Sequence, residues 1–168
     1  LPDLPALERL AAALAADGAR TLYLLGMGGS SLAPQVLRQV LGNPSGRELV
    51  VLDTTDPDRV AGILDGLDPA TAAVMAVSKS GTTAETSSLL EVLWDRLRVT
   101  HGDSTGARFV ALTEPGTPLV ELADERRFRA VLSHPVDVGG RFSPHTAVGA
   151  FPSVWLGHDT RQLLASGA

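Results

Sequence analysis

Short apolar segments alternate with longer amphipathic segments along most of the chain. Five apolar segments, each too short for a helix, are mostly followed by Gly, Ser, Thr or Asp, as is typical of strands that end in loops. These segments are nearly continuous in apolar residues, and this favours a sheet that is buried on both faces. We predict strands at residues 21–25, 48–52, 72–77, 108–112 and 130–132.

The segments between the strands have the spacing of amphipathic helices. Leucines from Leu4 to Leu14 recur at helical intervals and end before Gly18. Asp56 followed by a proline is a signal for the start of a helix. Alternating strands and helices imply an α/β fold, a three-layer sandwich in which helices flank a five-stranded parallel sheet. The remaining predicted helices cover residues 32–41, 57–64, 83–97 and 118–123.

The tail of the chain is apolar and helical in pattern but is followed by no further strand. Its two helical segments lie at residues 142–155 and 159–164. We interpret the tail as the approach to sequence outside this chain.

The composition is that of a folded globular domain. Of the 168 residues, 44% are hydrophobic and 20% are charged, which is enough for one domain with a substantial core. The formal net charge is −5 and no basic run is longer than Arg126-Arg127, so nucleic acid is an unfavourable partner. We expect no membrane partner and a cytoplasmic location, because no apolar stretch reaches the roughly 20 residues that span a bilayer and no signal peptide opens the chain.

Metal sites built on cysteine are excluded. The chain contains no cysteine, which removes disulfides and thiolate ligands, and its four histidines are scattered. We therefore expect no metal ion. The single lysine, Lys79, lies inside one of the motifs described next.

The first candidate for chemistry is a glycine-rich turn, GMGGSS at residues 26–31, which follows the first predicted strand. Its missing side chains let a ligand approach the backbone, and Ser30 and Ser31 can donate hydroxyl groups. A dinucleotide-binding turn is the alternative, with Asp53 holding a ribose hydroxyl. That fingerprint is incomplete because Ser31 stands at the position of the third glycine.

The second candidate is a strand-to-helix junction that is rich in hydroxyl side chains, SKSGTTAETSS at residues 78–88. Hydroxyl donors, free backbone N–H groups and a helix N-terminus suit the oxygens of a phosphate monoester without a metal ion. Ser78, Ser80 and Thr83 are the first choices for phosphate contacts. Alternatively, Ser80 or Thr82 only caps the helix, with Glu85 completing a capping box. The junction lacks the GxxxxGK[ST] pattern of nucleotide P-loops.

The third candidate is Arg141, which follows two glycines after the last predicted strand. The glycines give the backbone room to approach a ligand, and the guanidinium stays protonated at any working pH. An isolated surface arginine is the alternative explanation. The other two motifs favour a role for Arg141 in a site.

Together these motifs resemble those of the sugar isomerase (SIS) domain family and, within it, the glucose-6-phosphate isomerases. The hydroxyl-rich loop is typical of the wider SIS family, whereas the first and last motifs together are specific for the glucose-6-phosphate enzymes. The resemblance covers nearly the whole chain. The motifs are GMGGSSLAP at 26–34, LDTTDP at 52–57, VSKSGTTAET at 77–86, ALTEPGTPL at 111–119 and VGGRFS at 138–143.

The resemblance implies a flavodoxin-like or Rossmann-like SIS domain that interconverts glucose 6-phosphate and fructose 6-phosphate without a metal or organic cofactor. By matching motif, the phosphate cradle consists of Ser78, Ser80 and Thr83 with the backbone of Lys79. Contacts to the sugar chain come from Gly29 and Ser30. The cation beside the developing enediolate is Arg141, which is the one catalytic residue that we expect in this chain.

In this family the catalytic carboxylate and the ring-opening histidine lie in a second SIS domain. We therefore expect residues 1–168 to be one SIS domain, the N-terminal half of a longer enzyme that is active as a homodimer, and expect the chain alone to be inactive. Glu85 is better explained by helix capping, Glu114 by a turn, and His145 by a helix start.

Two other hypotheses stay open at this point. A SIS domain can bind a sugar phosphate only to signal its presence to a partner, although a sensor has no need of an arginine such as Arg141 beside an enediolate. A dinucleotide-binding domain would leave the loop from Ser78 to Thr83 unexplained.

Overall fold

Five parallel strands form one sheet in the computed structural model, which describes residues 1–166 of the chain. The end of the predicted domain, at residue 168, lies outside this described part. The strands occur in the order β2-β1-β3-β4-β5 across the sheet. Along the chain they are β1 (Thr21–Leu25), β2 (Glu48–Leu52), β3 (Ala72–Val77), β4 (Phe109–Thr113) and β5 (Ala130–Ser133).

The helices cover both faces of the sheet, so the predicted three-layer α/β sandwich is confirmed. Two short 3₁₀ helices, Gly102–Arg108 and Gly140–His145, interrupt the alternation. The α-helices are α1 (Leu4–Ala16), α2 (Gly29–Leu41), α3 (Pro57–Asp65), α4 (Ala84–His101), α5 (Pro118–Glu125), α6 (Ala147–Leu156) and α7 (Thr160–Ala165).

The burial of the strands on both faces explains why polar and apolar residues do not alternate along the apolar segments. All six residues of β3 are buried, as are all five of β4. Leu22 and Leu24 of β1 pack on the side of α1, α6 and α7, whereas Tyr23 and Leu25 pack on the side of α3, α4 and α5. Each face of the sheet therefore needs its own apolar residues, as in other parallel sheets.

The strand order places a topological switch point between β1 and β3. From β1 the chain runs through α2 to the edge strand β2 and then returns to β3 on the other side of β1. The loops that leave β1 and β3 therefore diverge, and a crevice opens at the carboxyl ends of these strands. Both the glycine-rich turn and the hydroxyl-rich loop lie at this crevice.

Two predictions about helices need correction. Helix α2 begins at Gly29, within the glycine-rich turn, and not at residue 32. The tail is part of the domain, because Phe151 and Trp155 of α6 are fully buried and the Trp155 indole N–H donates to the carbonyl of Glu48 at 2.8 Å. A helix that is apolar on every side is stable only when it is buried in this way.

None of the helices within residues 1–166 is both long and apolar enough to cross a membrane. The cytoplasmic location stays a prediction.

Candidate functional site

The hydroxyl-rich loop folds back on itself between β3 and α4. The hydroxyl groups of Ser78 and Thr83 lie 2.9 Å apart, and those of Ser80 and Thr82 lie 2.9 Å apart. Ser78 is buried, and its hydroxyl also accepts the Thr83 backbone N–H at 3.5 Å. The loop therefore gathers the three predicted phosphate contacts, Ser78, Ser80 and Thr83, over the start of one helix.

A glycine permits this tight loop. Gly81 has φ of +68°, and a Cβ at this position would lie 2.6 Å from the Cβ of Thr117. Only glycine meets both the positive φ and the close approach.

The loop leaves donors free at the amino end of α4. Within residues 1–166, the backbone N–H groups of Lys79 and Ser80 form no hydrogen bond. The N-cap residue is Thr83, and its side chain makes no capping hydrogen bond. The alternative of a capping box through Thr82 and Glu85 is therefore wrong, because the Thr82 hydroxyl pairs with Ser80 and Glu85 is exposed. Unpaired N–H groups and the positive end of the helix dipole make the loop suited to an anion.

The glycine-rich turn contacts the segment that carries Arg141. A Cβ on Gly29 would lie 2.4 Å from the carbonyl carbon of Gly140, so the Gly140 backbone leaves no room for a side chain at residue 29. The Ser143 hydroxyl lies 2.6 Å from the Gly140 carbonyl and 3.3 Å from the Gly29 carbonyl, so it bridges the two segments. This contact holds the start of α2, including the half-buried Ser30, next to the 3₁₀ helix of Arg141.

Lys79 links the hydroxyl-rich loop to the chain that follows β5. Its ammonium donates to the carbonyls of Val136 at 3.0 Å and Val138 at 3.1 Å. The same ammonium lies 3.4 Å from the carboxylate of Glu114. The sequence predicts a role only for the backbone of Lys79, because the partners of its side chain lie more than fifty residues away in the chain.

Arg141 is exposed and forms neither a hydrogen bond nor an ion pair with residues 1–166. Its guanidinium is therefore available to a ligand. A groove of about 310 Å³ lies beside Arg141 and Gly29, and its lining includes Leu32, Ala33, Val36 and Leu37 of α2. The hydroxyl-rich loop is not part of its lining.

Thr113 and Thr117 form a hydrogen-bonded pair that contacts the hydroxyl-rich loop. The sequence analysis does not include them in the site. The Thr113 hydroxyl donates to the Lys79 carbonyl at 3.3 Å and lies 2.8 Å from the Thr117 hydroxyl. Both threonines are within the ALTEPGTPL motif, which is the signal in the sequence that could have identified them.

Asp53, the residue that would hold a ribose hydroxyl in the dinucleotide alternative, accepts a hydrogen bond from the side-chain amide of Gln35 at 2.7 Å.

Two groups with shifted pKa values lie outside these loops. Burial raises the pKa of the Tyr23 phenol in the middle of β1, and the nearby Asp68 carboxylate adds to the effect. Burial lowers the pKa of Arg47, which precedes β2, and the nearby Arg20 acts in the same direction. Both shifts reflect packing around the sheet.

The comparisons with known proteins agree with the geometry. The sequence profile of the family described as "Phosphoglucose isomerase" matches residues 14–168. A glucose-6-phosphate isomerase from Rubrobacter xylanophilus is 36% identical over 161 residues, which cover 90% of this chain and 37% of that protein.

Two solved structures are similar along nearly the whole chain. The hypothetical protein TT0462 from Thermus thermophilus has a TM-score of 0.86 and 35% identity, with 97% of this chain and 40% of that chain covered. A glucose-6-phosphate isomerase from Chlamydia trachomatis has a TM-score of 0.80 and 30% identity, with 96% of this chain and 30% of that chain covered.

These matches leave most of each relative unaligned, since the chain spans between about 30% and 40% of their lengths. The match to the family profile includes the sheet, the hydroxyl-rich loop and the Arg141 segment. On the family profile, the sequence identity and the shared fold, the chain belongs to the phosphoglucose isomerase family.

Proposed function

We propose that this chain is the sugar-phosphate-binding domain of a glucose-6-phosphate isomerase, and that it supplies the phosphate cradle and one catalytic cation. The carrying observation is the loop from Ser78 to Thr83, which presents paired hydroxyl groups and free backbone N–H groups at the start of α4. A phosphate monoester carries about two negative charges and several acceptor oxygens, so this set of donors matches it.

The sugar would extend from the cradle towards Gly29, Ser30 and Arg141. The contact between Gly29 and Gly140 supports this direction, because it holds the start of α2 beside the Arg141 segment. Isomerisation transfers the proton on C2 of the open-chain aldose to a base and later returns it to C1; in between, negative charge develops on the C1 oxygen of the enediolate, next to the C2 hydroxyl. A guanidinium beside these oxygens would lower the barrier, and loss of one such donor typically costs about 3–4 kcal/mol.

The base that moves the proton would come from outside this chain. Glu114 follows Thr113, the threonine that contacts the cradle. Its carboxylate forms an ion pair with the Lys79 ammonium at 3.4 Å. Glu85 is exposed in the first turn of α4. We assign the base and the ring-opening histidine to a second SIS domain, which would account for the greater length of the relatives.

An apolar stripe on α2 supports docking of such a domain or of a second copy of the enzyme. Leu32, Val36 and Val40 follow one another at intervals of four residues and are 59%, 48% and 73% exposed. Apolar side chains exposed in a row mark surfaces that a partner covers.

The test is a titration of the purified protein with fructose 6-phosphate and, separately, with inorganic phosphate, followed by NMR. We expect both ligands to shift the amides from Ser78 to Thr86, and fructose 6-phosphate to shift residues 28–31 as well. Ser78→Ala should weaken phosphate binding about tenfold or more, because a hydrogen bond to a charged group contributes roughly 1.5–3 kcal/mol.

Ser88→Ala is the matched control, since Ser88 is an exposed serine further along α4. Its phosphate affinity should equal that of the parent protein. Phosphate-induced shifts that fall outside the loop, fructose 6-phosphate shifts that fall outside both the loop and residues 28–31, or equal affinities for the Ser78 and Ser88 variants would contradict the proposed cradle.

A further inference from the structure

The Lys79 ammonium is engaged by protein groups. An ammonium has three N–H donors. Two are directed to the carbonyls of Val136 and Val138, and the ammonium also forms an ion pair with the Glu114 carboxylate at 3.4 Å. These contacts direct the side chain towards the turn after β5.

The turn that Lys79 holds has few other hydrogen bonds of its own. Val136 is 68% exposed, and the Val138 N–H donates to the Pro135 carbonyl at 3.3 Å. The turn is anchored at its start by the buried His134, whose Nδ1 lies 2.8 Å from the Pro135 carbonyl and whose backbone N–H donates to the Thr113 carbonyl at 2.8 Å. Arg141 follows Val138 by three residues. On its other side, the Ser143 hydroxyl ties the 3₁₀ helix to Gly29. The 3₁₀ helix of Arg141 also packs against α2 and α6, and Lys79 is the anchor on the side of the turn that precedes it.

The backbone of Lys79 is itself held in place. Its carbonyl accepts the Glu114 backbone N–H at 3.1 Å and the Thr113 hydroxyl at 3.3 Å. One residue therefore joins the carboxyl ends of β3 and β4 through its backbone and reaches the chain after β5 through its side chain. Its backbone N–H, which forms no hydrogen bond within residues 1–166, belongs to the loop that gathers the phosphate donors.

We propose that Lys79 is a positioning residue that fixes the distance between the phosphate cradle and Arg141. This inference rests on the proposed function. The backbone of Lys79 would contribute to phosphate binding, while its ammonium holds the Val136–Val138 turn so that Arg141 meets the end of the sugar at which the enediolate forms.

A double-mutant cycle with two ligands tests this role in the same protein. Inorganic phosphate measures the cradle alone. Arabinonate 5-phosphate measures the cradle and Arg141 together, because its carboxylate carries the charge that the enediolate would carry. The variants are Lys79→Met, Arg141→Ala and the combination of both, with affinities measured by calorimetry.

For Lys79→Met we expect about a tenfold loss of affinity for arabinonate 5-phosphate, since a misplaced guanidinium loses a charge-assisted contact. The affinity for inorganic phosphate should fall by a smaller factor, because the contacts of the cradle are hydroxyl and backbone N–H groups and a half-exposed charge that is already paired contributes little. In the Arg141→Ala background, the loss from Lys79→Met should disappear, as expected for two residues that act as one unit.

Amide hydrogen exchange gives a measurement that does not depend on a ligand. Exchange at Val138 and Phe142 should be faster by about tenfold in Lys79→Met, because the turn opens locally when an anchor is lost. Exchange in the sheet should stay unchanged. The Lys79 side chain is 41% exposed, so its replacement leaves the core intact.

Three outcomes would overturn the proposal: equal weakening of both ligands by Lys79→Met, the same loss in the presence and absence of Arg141, or unchanged exchange of the turn. Failure of the proposed function gives a different result, since the unmodified protein would then bind neither ligand.

Discussion

At the scale of single residues, the site depends on close contacts between backbones. Gly29 and Gly140 come from segments that are far apart in the chain, and a side chain at residue 29 would overlap the Gly140 carbonyl group. The glycine-rich turn could be recognised in the sequence as a place where something approaches the backbone. The sequence did not show that the Arg141 segment is one of the groups that approach the backbone of this turn.

Gly29→Ala should destabilise the protein by about 1–3 kcal/mol, because the added methyl forces the two segments apart in a packed region. Urea unfolding followed by circular dichroism measures this change. Gly62→Ala is the matched control, since Gly62 lies within helix α3 and a methyl added there would point into open space. The control should be stabilised by about 0.5–1 kcal/mol. Equal stabilities for the two variants would show that the contact is not tight.

At the scale of secondary-structure elements, the tail shows the limits of pattern analysis. The apolar residues of α6 identified a helix, but not whether this helix packs on the domain or against something else. In the structure α6 lies against α1, α2 and the edge of the sheet, and Arg47 covers the Trp155 ring at 4.8 Å. Helix α6 therefore completes one of the two helical layers.

Trp155→Ala should lower the free energy of unfolding by about 3–5 kcal/mol, the usual cost of removing a large buried aromatic side chain. Thermal and urea unfolding both report this loss. Phe142→Ala is the control, because Phe142 is 76% exposed, and its replacement should change the stability by less than about 0.5 kcal/mol. A small effect at Trp155 would mean that α6 is not part of the cooperative core.

At the scale of the whole molecule, the order of the strands creates the site. Residues 26–31 and 78–83 are far apart in the chain, but the switch point between β1 and β3 brings both to one crevice. The Arg141 segment reaches the same place through its contact with Gly29 and through Lys79. The crevice is thus assembled from three separate loops on one rigid sheet.

The proposed function places catalysis in a longer enzyme, so the role of Arg141 is to be tested there. Arg141→Ala in the full-length protein should lower kcat for the conversion of fructose 6-phosphate by about 100- to 1000-fold, in line with the loss of one oxyanion-stabilising donor. A coupled assay with glucose 6-phosphate dehydrogenase measures the rate. Arg161→Ala, an exposed arginine of α7, is the control and should keep the parent rate. Equal rates for both variants would remove Arg141 from the mechanism.

The sequence alone determined much of the fold. The predicted strands at residues 21–25, 48–52 and 72–77 agree with the structure at both ends, because short runs of mostly apolar residues that end at glycine, serine or aspartate have few other ways to be buried. The Asp56 N-cap is also confirmed, with its carboxylate accepting the Arg59 N–H at 3.0 Å. These features depend on neighbouring residues and are therefore visible in the sequence.

Only the tertiary structure decided the features that join distant residues. The start of α2 at Gly29, the burial of α6 and the link from Lys79 to Val136 and Val138 depend on partners that lie dozens of residues away. No local pattern specifies such partners, since a lysine or a glycine is compatible with many neighbours until the strand order is known. The sequence thus determined which residues are suited to the chemistry, and the packing of the sheet decided which of them meet.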